Sequence, residues 1–176
     1  EALLRPLTIV AGAVERRQTM PILSNMLFKL DGQKMLITGT DLEVELTAQL
    51  AVENDTQTKG AVTIPARKIV DICKSLPDDS ELKFTADDNK VVVQSGRSRF
   101  SLASLPAADF PSVQRDKSSF SVTVPQKEFG ELIHKTAFSM AQQDVRYYLN
   151  GMLWELTEQN LRAVATDGHR LAIADV

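Results

Sequence analysis

Thr166-Asp167-Gly168-His169-Arg170 sets a carboxylate, an imidazole and a guanidinium around a turn-forming glycine. A carboxylate beside a histidine is the pairing that orients an imidazole for general-base work. Thr40-Asp41-Leu42-Glu43-Val44 has the same start but no histidine. That contrast favours a turn or binding role for Asp167 and His169 over catalysis. Leu42-Glu43-Val44-Glu45-Leu46 offers two carboxylates on one strand face, half of a metal site by composition. Their alternation with apolar residues reads as a solvated sheet face. No glycine-rich phosphate loop and no nucleophile elbow occurs.

Gln143-Asp144-Val145-Arg146-Tyr147-Tyr148 joins an amide, a guanidinium and two tyrosines after a predicted helix, a mixture suited to phosphate and sugar contacts. The other basic residues are few but placed. Arg16-Arg17 follow a first predicted helix. Arg67, Lys68 and Lys74 sit on a second. Lys127 and Lys135 sit on a third, offset by Glu128 and Glu131. Arg97 and Arg99 flank the start of an apolar strand. The net charge is −3, so any contact with nucleic acid must come from a local basic surface on an acidic body.

The elements that must hold these groups repeat. Shifted by 126 residues, Leu23-Ser24-Asn25-Met26-Leu27-Phe28-Lys29-Leu30 falls on Leu149-Asn150-Gly151-Met152-Leu153-Trp154-Glu155-Leu156, and Thr40-Asp41 on Thr166-Asp167. The same offset sets Arg17 against Gln143. A second, weaker echo relates Ile64-Pro65-Ala66-Arg67-Lys68-Ile69 to Val124-Pro125-Gln126-Lys127-Glu128-Phe129. A protein built from repeated units makes a surface by arrangement rather than one catalytic pocket.

Helical periodicity marks Leu3, Leu4, Leu7, Val10, Ala11 and Val14, with Pro6 placing the helix start near Glu1 or Ala2. It also marks Ile69, Ile72, Cys73 and Leu76 after Pro65, and Phe129, Leu132, Ile133, Thr136 and Ala137 after Pro125. Period-two segments lie between: 26–30, 34–38, 42–50, 81–85, 91–94 and 99–104. Asp31-Gly32 is a hairpin signal between the first two. The predicted order is helix, three strands, helix, three strands, then a new round. That is an α+β fold with antiparallel sheets, each helix lying on a sheet face. Residues 103–113, with Pro106 and Pro111, followed by 114–119, read as an inter-domain linker.

The 176 residues, 43% of them hydrophobic, suit one or two ordinary domains. One cysteine excludes an intramolecular disulfide and a cysteine metal cluster. No apolar run approaches a membrane span and no signal peptide is visible, so a cytoplasmic location is expected. The chain begins at Glu1 without a methionine and ends at Val176 in an apparent strand, and is expected to be a fragment at both ends.

Five segments together resemble the bacterial sliding clamps, the beta subunits of the replicative DNA polymerase, and proteobacterial members above all. They are residues 38–43 (TGTDLE), 62–68 (VTIPARK), 95–100 (SGRSRF), 143–151 (QDVRYYLNG) and 164–171 (VATDGHRL). The resemblance spans essentially the whole chain. It implies three similar domains per subunit and two subunits closed head to tail into a ring, with helices lining the hole and sheets outside. Such a ring encircles duplex DNA and tethers polymerase, a processivity factor without a catalytic site, cofactor or metal. By the resemblance, Arg17, Arg67, Gln143, Tyr147 and Tyr148 match DNA-touching positions. Leu149, Thr166, Gly168, His169, Arg170 and Leu171 match part of the groove that holds peptides of polymerase subunits and the clamp loader. Lys68, Arg97, Arg99, Phe100 and Leu102 match one side of the dimer seam. The expected division is 1–119, a first clamp domain lacking its first strand, and 120–176, the start of a second. The competing readings are an α+β hydrolase or metal enzyme using His169 and Asp167 with Glu43 or Glu45, and a repeat scaffold that binds only protein.

Overall fold

The computed structural model describes residues 2–14, 20–53, 59–87, 89–111 and 121–176. The chain divides into two compact units, Glu1–Arg115 and Asp116–Val176. Among the described residues both units are antiparallel sheet plus helix, the α+β class expected.

In the first unit, α1 spans Leu4–Val10 and a 3-10 turn follows at Ala11–Ala13. The helix starts later than Pro6 implied. Leu3 caps it, and the proline occupies the first turn, where its missing N–H has no intrahelical partner to lose. The expected stripe is real: Leu7 and Val10 are fully buried, with Leu3, Leu4, Ala11 and Val14 packed beside them. Four strands form the first sheet: β1 (Asn25–Asp31), β2 (Lys34–Thr40), β3 (Glu45–Ala51) and β4 (Lys59–Pro65), in the order β3-β2-β1-β4. Asp31 pairs with Lys34 across a two-residue turn, and Gly32 there adopts φ 61°. The sheet approaches α1 closely at Gly39, where a Cβ would stand 2.9 Å from Val10 Cγ1.

Two expectations fail in this sheet. Residues 42–44 do not belong to β3; they form a turn, described below. Glu43 therefore lies in the turn and only Glu45 on the strand, so the proposed carboxylate face does not exist. Strand β4 was not anticipated, because Pro65 reads as a helix signal. It is both: the last residue of β4 and the N-cap of α2, Ala66–Ser75.

Helix α2 buries Ala66, Ile69, Val70 and Ile72. Cys73 packs partly buried against the same core, and burial pushes its thiol pKa up, as for an inert structural cysteine. Strands β5 (Lys83–Asp87), β6 (Lys90–Ser95) and β7 (Ser98–Ala103) form a second sheet in that order. Its central strand carries Val91 and Val93 into the core. The expected linker is only partly one. Thr63 Oγ1 donates to the Leu105 carbonyl at 2.8 Å and accepts the Leu105 N–H at 2.9 Å. Phe110 then buries itself against Ile22 and Leu23. The rest of the expected linker, 112–119, lies outside the described residues.

The second unit repeats the opening elements of the first, from α1 to β3, in order. Helix α3 (Gln126–Thr136) leads into a 3-10 turn at Ala137–Ser139, as α1 leads into Ala11–Ala13. The 3-10 turn Tyr147–Asn150 stands 126 residues after its counterpart Pro21–Ser24. Strands β8 (Leu153–Leu156), β9 (Leu161–Thr166) and β10 (Leu171–Asp175) take the order β10-β9-β8, matching β3-β2-β1. The weaker echo also has a local cause: Pro65 and Pro125 both N-cap a helix.

Candidate functional site

The turn between β9 and β10 is built on Asp167. Its Oδ1 accepts the backbone N–H groups of His169 and Arg170, each at 2.9 Å, and its Oδ2 accepts Arg170 Nε at 3.0 Å. Thr166 Oγ1 accepts the Gly168 N–H and donates to the Arg170 carbonyl at 2.7 Å. These donors, led by the backbone N–H of Arg170, hold the Asp167 carboxyl below its ordinary pKa. The first unit makes the same turn without a histidine. Asp41 Oδ1 accepts the N–H groups of Glu43 and Val44, and Thr40 Oγ1 that of Leu42. Asp167 is therefore a turn residue whose carboxylate is occupied by backbone and Arg170. It does not orient His169 for general-base chemistry.

Residues 141–150 form the facing loop. Asp144 and Asn150 exchange hydrogen bonds, with the Asp144 N–H donating to Asn150 Oδ1 and Asn150 Nδ2 to the Asp144 carbonyl, both at 3.0 Å. The Leu149 N–H donates to the Arg146 carbonyl and the Ala141 N–H to the Leu149 carbonyl. Arg146 grips Asp144 with two donors, Nε at 3.0 Å and Nη2 at 2.9 Å. That grip lowers the Asp144 carboxyl pKa to about 2. Nη2 also reaches the Asp167 carbonyl at 3.4 Å, so the guanidinium spans from loop to turn. Arg146 was expected to offer its guanidinium to phosphate alongside Gln143 and the tyrosines. In the structure the group is already engaged with Asp144.

Gly168 has φ 88°, and a Cβ there would stand 3.3 Å from Arg146 Nη1. A side chain would crowd the bridge as well as strain the backbone. Between loop and turn lies a cleft of about 420 Å³, lined among others by Phe138, Asp144, Arg146, Asp167, His169 and Arg170. Arg170 stands over the Phe138 ring, 5.9 Å from its centroid, and Phe138 is 61% exposed. An exposed aromatic beside two guanidiniums and two carboxylates suits a short peptide with an apolar anchor and polar flanks.

Of the expected groove residues, the structure brings Thr166, Gly168, His169, Arg170 and Leu171 onto one turn. Leu149 lies half-buried in the 3-10 turn before β8, and β9 separates β8 from β10. Leu149 and Leu171 are thus not on neighbouring strands; the connection between their segments runs through Arg146. Phe138, Asp144 and Arg146 were not anticipated as lining residues. The repeat held the signal: Phe138 stands where the first copy has Gly12, and Arg146 where it has Met20.

The other expected site residues fall in two groups. Gln143, Tyr147 and Tyr148 project from the same loop. Gln143 takes φ 56°, and the exposed tyrosine rings meet edge to face at 6.0 Å. Arg67 and Lys68 are exposed on α2, Arg67 at 3.8 Å from Asp71, a long surface pair that leaves its donors available to another anion. Arg17 lies outside the described residues. Arg97 and Arg99 are exposed at β7, an outer strand of its sheet. Phe100 and Leu102 are partly buried against the unit's own core.

Two family models match the chain: the N-terminal domain of the DNA polymerase III beta subunit over residues 1–114, and its central domain over 123–176. A beta sliding clamp of Pseudomonas putida is 53% identical over all 176 residues, which cover 48% of that relative. The beta sliding clamp of Escherichia coli K12 is 49% identical, with the same coverage. A crystal structure of the Pseudomonas aeruginosa DNA polymerase III beta subunit superposes with TM-score 0.94 at 51% identity, over 99% of this chain and 47% of that one. Another crystal structure of a sliding clamp (DNA polymerase III subunit beta) from Pseudomonas aeruginosa, bound to griselimycin, gives a TM-score of 0.92 at 52% identity. The chain spans about half the length of the relatives it matches.

Proposed function

The chain belongs to the DNA polymerase III beta subunit family, and from that premise we propose that it supplies part of a sliding clamp, a processivity factor that encircles duplex DNA and tethers replicative polymerase. The carrying observation is the two domain models matched in order over a chain whose second unit repeats the first. The clamp is an accessory subunit without a catalytic site of its own, working in the cytoplasm where the bacterial chromosome is copied. Residues 1–119 supply its first domain and 120–176 the start of its second.

Arg17, Arg67, Gln143, Tyr147 and Tyr148 touch duplex DNA, through phosphate and sugar, because a sliding ring must not read sequence. Leu149, Thr166, Gly168, His169, Arg170 and Leu171 receive peptides of polymerase subunits and of the clamp loader. The relative solved with griselimycin is consistent with a ligand-binding surface in this family. Two subunits meet head to tail, with Lys68, Arg97, Arg99, Phe100 and Leu102 on one side of the seam. Support for that side is the position of Arg99, Phe100 and Leu102 on β7, which among the described residues is an outer strand whose edge offers backbone groups to another sheet.

The deciding experiment loads the whole protein on closed circular DNA, then linearises half the sample. A ring stays on the circle and leaves the linear form. Equal retention on both would overturn the clamp reading and favour a conventional DNA binder. Arg67→Ala should weaken binding about equally on every sequence and reduce the salt slope by about 1. Loss on some sequences only would show that Arg67 reads bases.

A further inference from the structure

One loop, residues 141–150, carries Gln143, Tyr147 and Tyr148 and at the same time lines the cleft. Its tie to the groove turn is the Arg146 guanidinium, held by Asp144 on the loop and bonded to the Asp167 carbonyl on the turn. Gly168 leaves the space that the group occupies. In the first unit Met20 stands at the equivalent position, and a thioether cannot make this tie.

We propose that Arg146 is a positioning residue that couples the two surfaces, so that duplex DNA on the loop and peptide in the groove weaken each other's binding. The inference rests on the sliding-clamp reading. The physical cause is competition for one planar donor set. The guanidinium cannot fork onto Asp144 and onto a DNA phosphate with the same two N–H groups. A phosphate drawn to this loop takes the remaining fork, Nη1 with the outer Nη2 hydrogen, and so competes with the Asp167 carbonyl, which loses its partner. The 166–170 turn is then less firmly held in the shape that receives peptide. By linkage, a peptide that favours the held turn disfavours the phosphate-bound loop by the same factor.

The test uses the whole protein, a short blunt duplex, and a peptide with a leucine or aromatic anchor. Peptide affinity is measured with and without saturating duplex, and duplex affinity with and without saturating peptide. The wild type should show the same weakening in both directions, roughly fivefold or more. Arg146→Gln should bring the factor close to one. Arg146→Lys should not restore it, because a point charge cannot fork. Gly168→Ala, which alters no DNA-facing side chain, should also reduce it by crowding the guanidinium. A factor of one in the wild type, with both ligands bound, overturns the coupling. A full factor in Arg146→Gln assigns the coupling to direct contact between the ligands and overturns the role of Arg146. A wild type that binds duplex but no peptide overturns the groove itself, and this proposal with it.

Discussion

The turns at Asp41–Val44 and Asp167–Arg170 have the same hydrogen-bonded backbone and different surfaces. In each, an aspartate takes the N–H groups two and three residues ahead, and the threonine before it takes the N–H of the residue directly after the aspartate. In each, the residue after the aspartate has positive φ, 79° at Leu42 and 88° at Gly168. Around that constant frame, Leu42 gives way to Gly168, Glu43 to His169, Val44 to Arg170, Met20 to Arg146 and Gly12 to Phe138. Residues kept between copies build the turn. Those that change line a cleft in the second copy, whereas the first copy has Leu42 and Val44, each about half exposed, on either side of Glu43. Asp167 beside His169 resembles catalytic machinery only until its counterpart Asp41 is seen doing the same work without a histidine.

The comparison can be sharpened by exchanging the residues that differ. Gly168→Leu should have the largest effect. Left-handed backbone costs a branched residue about 1–2 kcal/mol, of which roughly 0.5–1 is returned by the lower flexibility of the unfolded chain. The side chain must also displace Arg146, so a total loss of about 1–2 kcal/mol is expected in denaturant unfolding. Repeating the substitution in Arg146→Gln should reduce the loss to the backbone part. An equal loss in both backgrounds would show that Gly168 answers only to φ.

The reverse exchange is smaller and opposite in sign. Leu42→Gly releases the same strain and incurs the same entropy, a net gain of about 0.5 kcal/mol. A loss of stability there would mean that Leu42 contributes packing that its 55% exposure does not suggest.

The smallest effect separates side-chain from backbone control of the carboxylates. Asp144 owes its low pKa, about 2, chiefly to the Arg146 side chain, whereas Asp41 owes its lowering chiefly to the N–H of Val44. Because both folded values lie below the ordinary 3.8, their contributions to stability are present above that pH. The Asp144 contribution is lost as pH falls from there through about 2. Carboxyl NMR titration of Arg146→Gln should move the Asp144 midpoint up toward the ordinary value and leave Asp41 in place. A shift of both would mean that the variant disturbs the fold rather than one pair.

Most of this frame is legible in the sequence because it is periodic. Leu7 and Val10 in α1, and Ile69 and Ile72 in α2, lie where helical spacing puts them, and Asp31-Gly32 makes the hairpin it announces. Strand β4 escapes notice because Pro65 serves two elements. Residues 42–44 pass for strand because Leu42 and Val44 alternate with carboxylates, although Asp41 turns the backbone there. Phe110 hides in a proline-rich stretch, and only its contact with Ile22 and Leu23 reveals that the stretch folds back. The groove turn was legible as a motif. The Arg146 bridge was not, because it depends on how two segments about twenty residues apart meet in space.

The central claim is that one turn is structural in both units and binds peptide in only the second. Calorimetric titration of the whole protein with a short peptide bearing a leucine or aromatic anchor tests it most directly. One site per subunit is predicted. Leu149→Ala and Arg170→Ala should each weaken binding by roughly 1 kcal/mol or more, and Val44→Ala should leave it unchanged. Two sites per subunit, or a loss with Val44→Ala matching that with Arg170→Ala, would contradict the account.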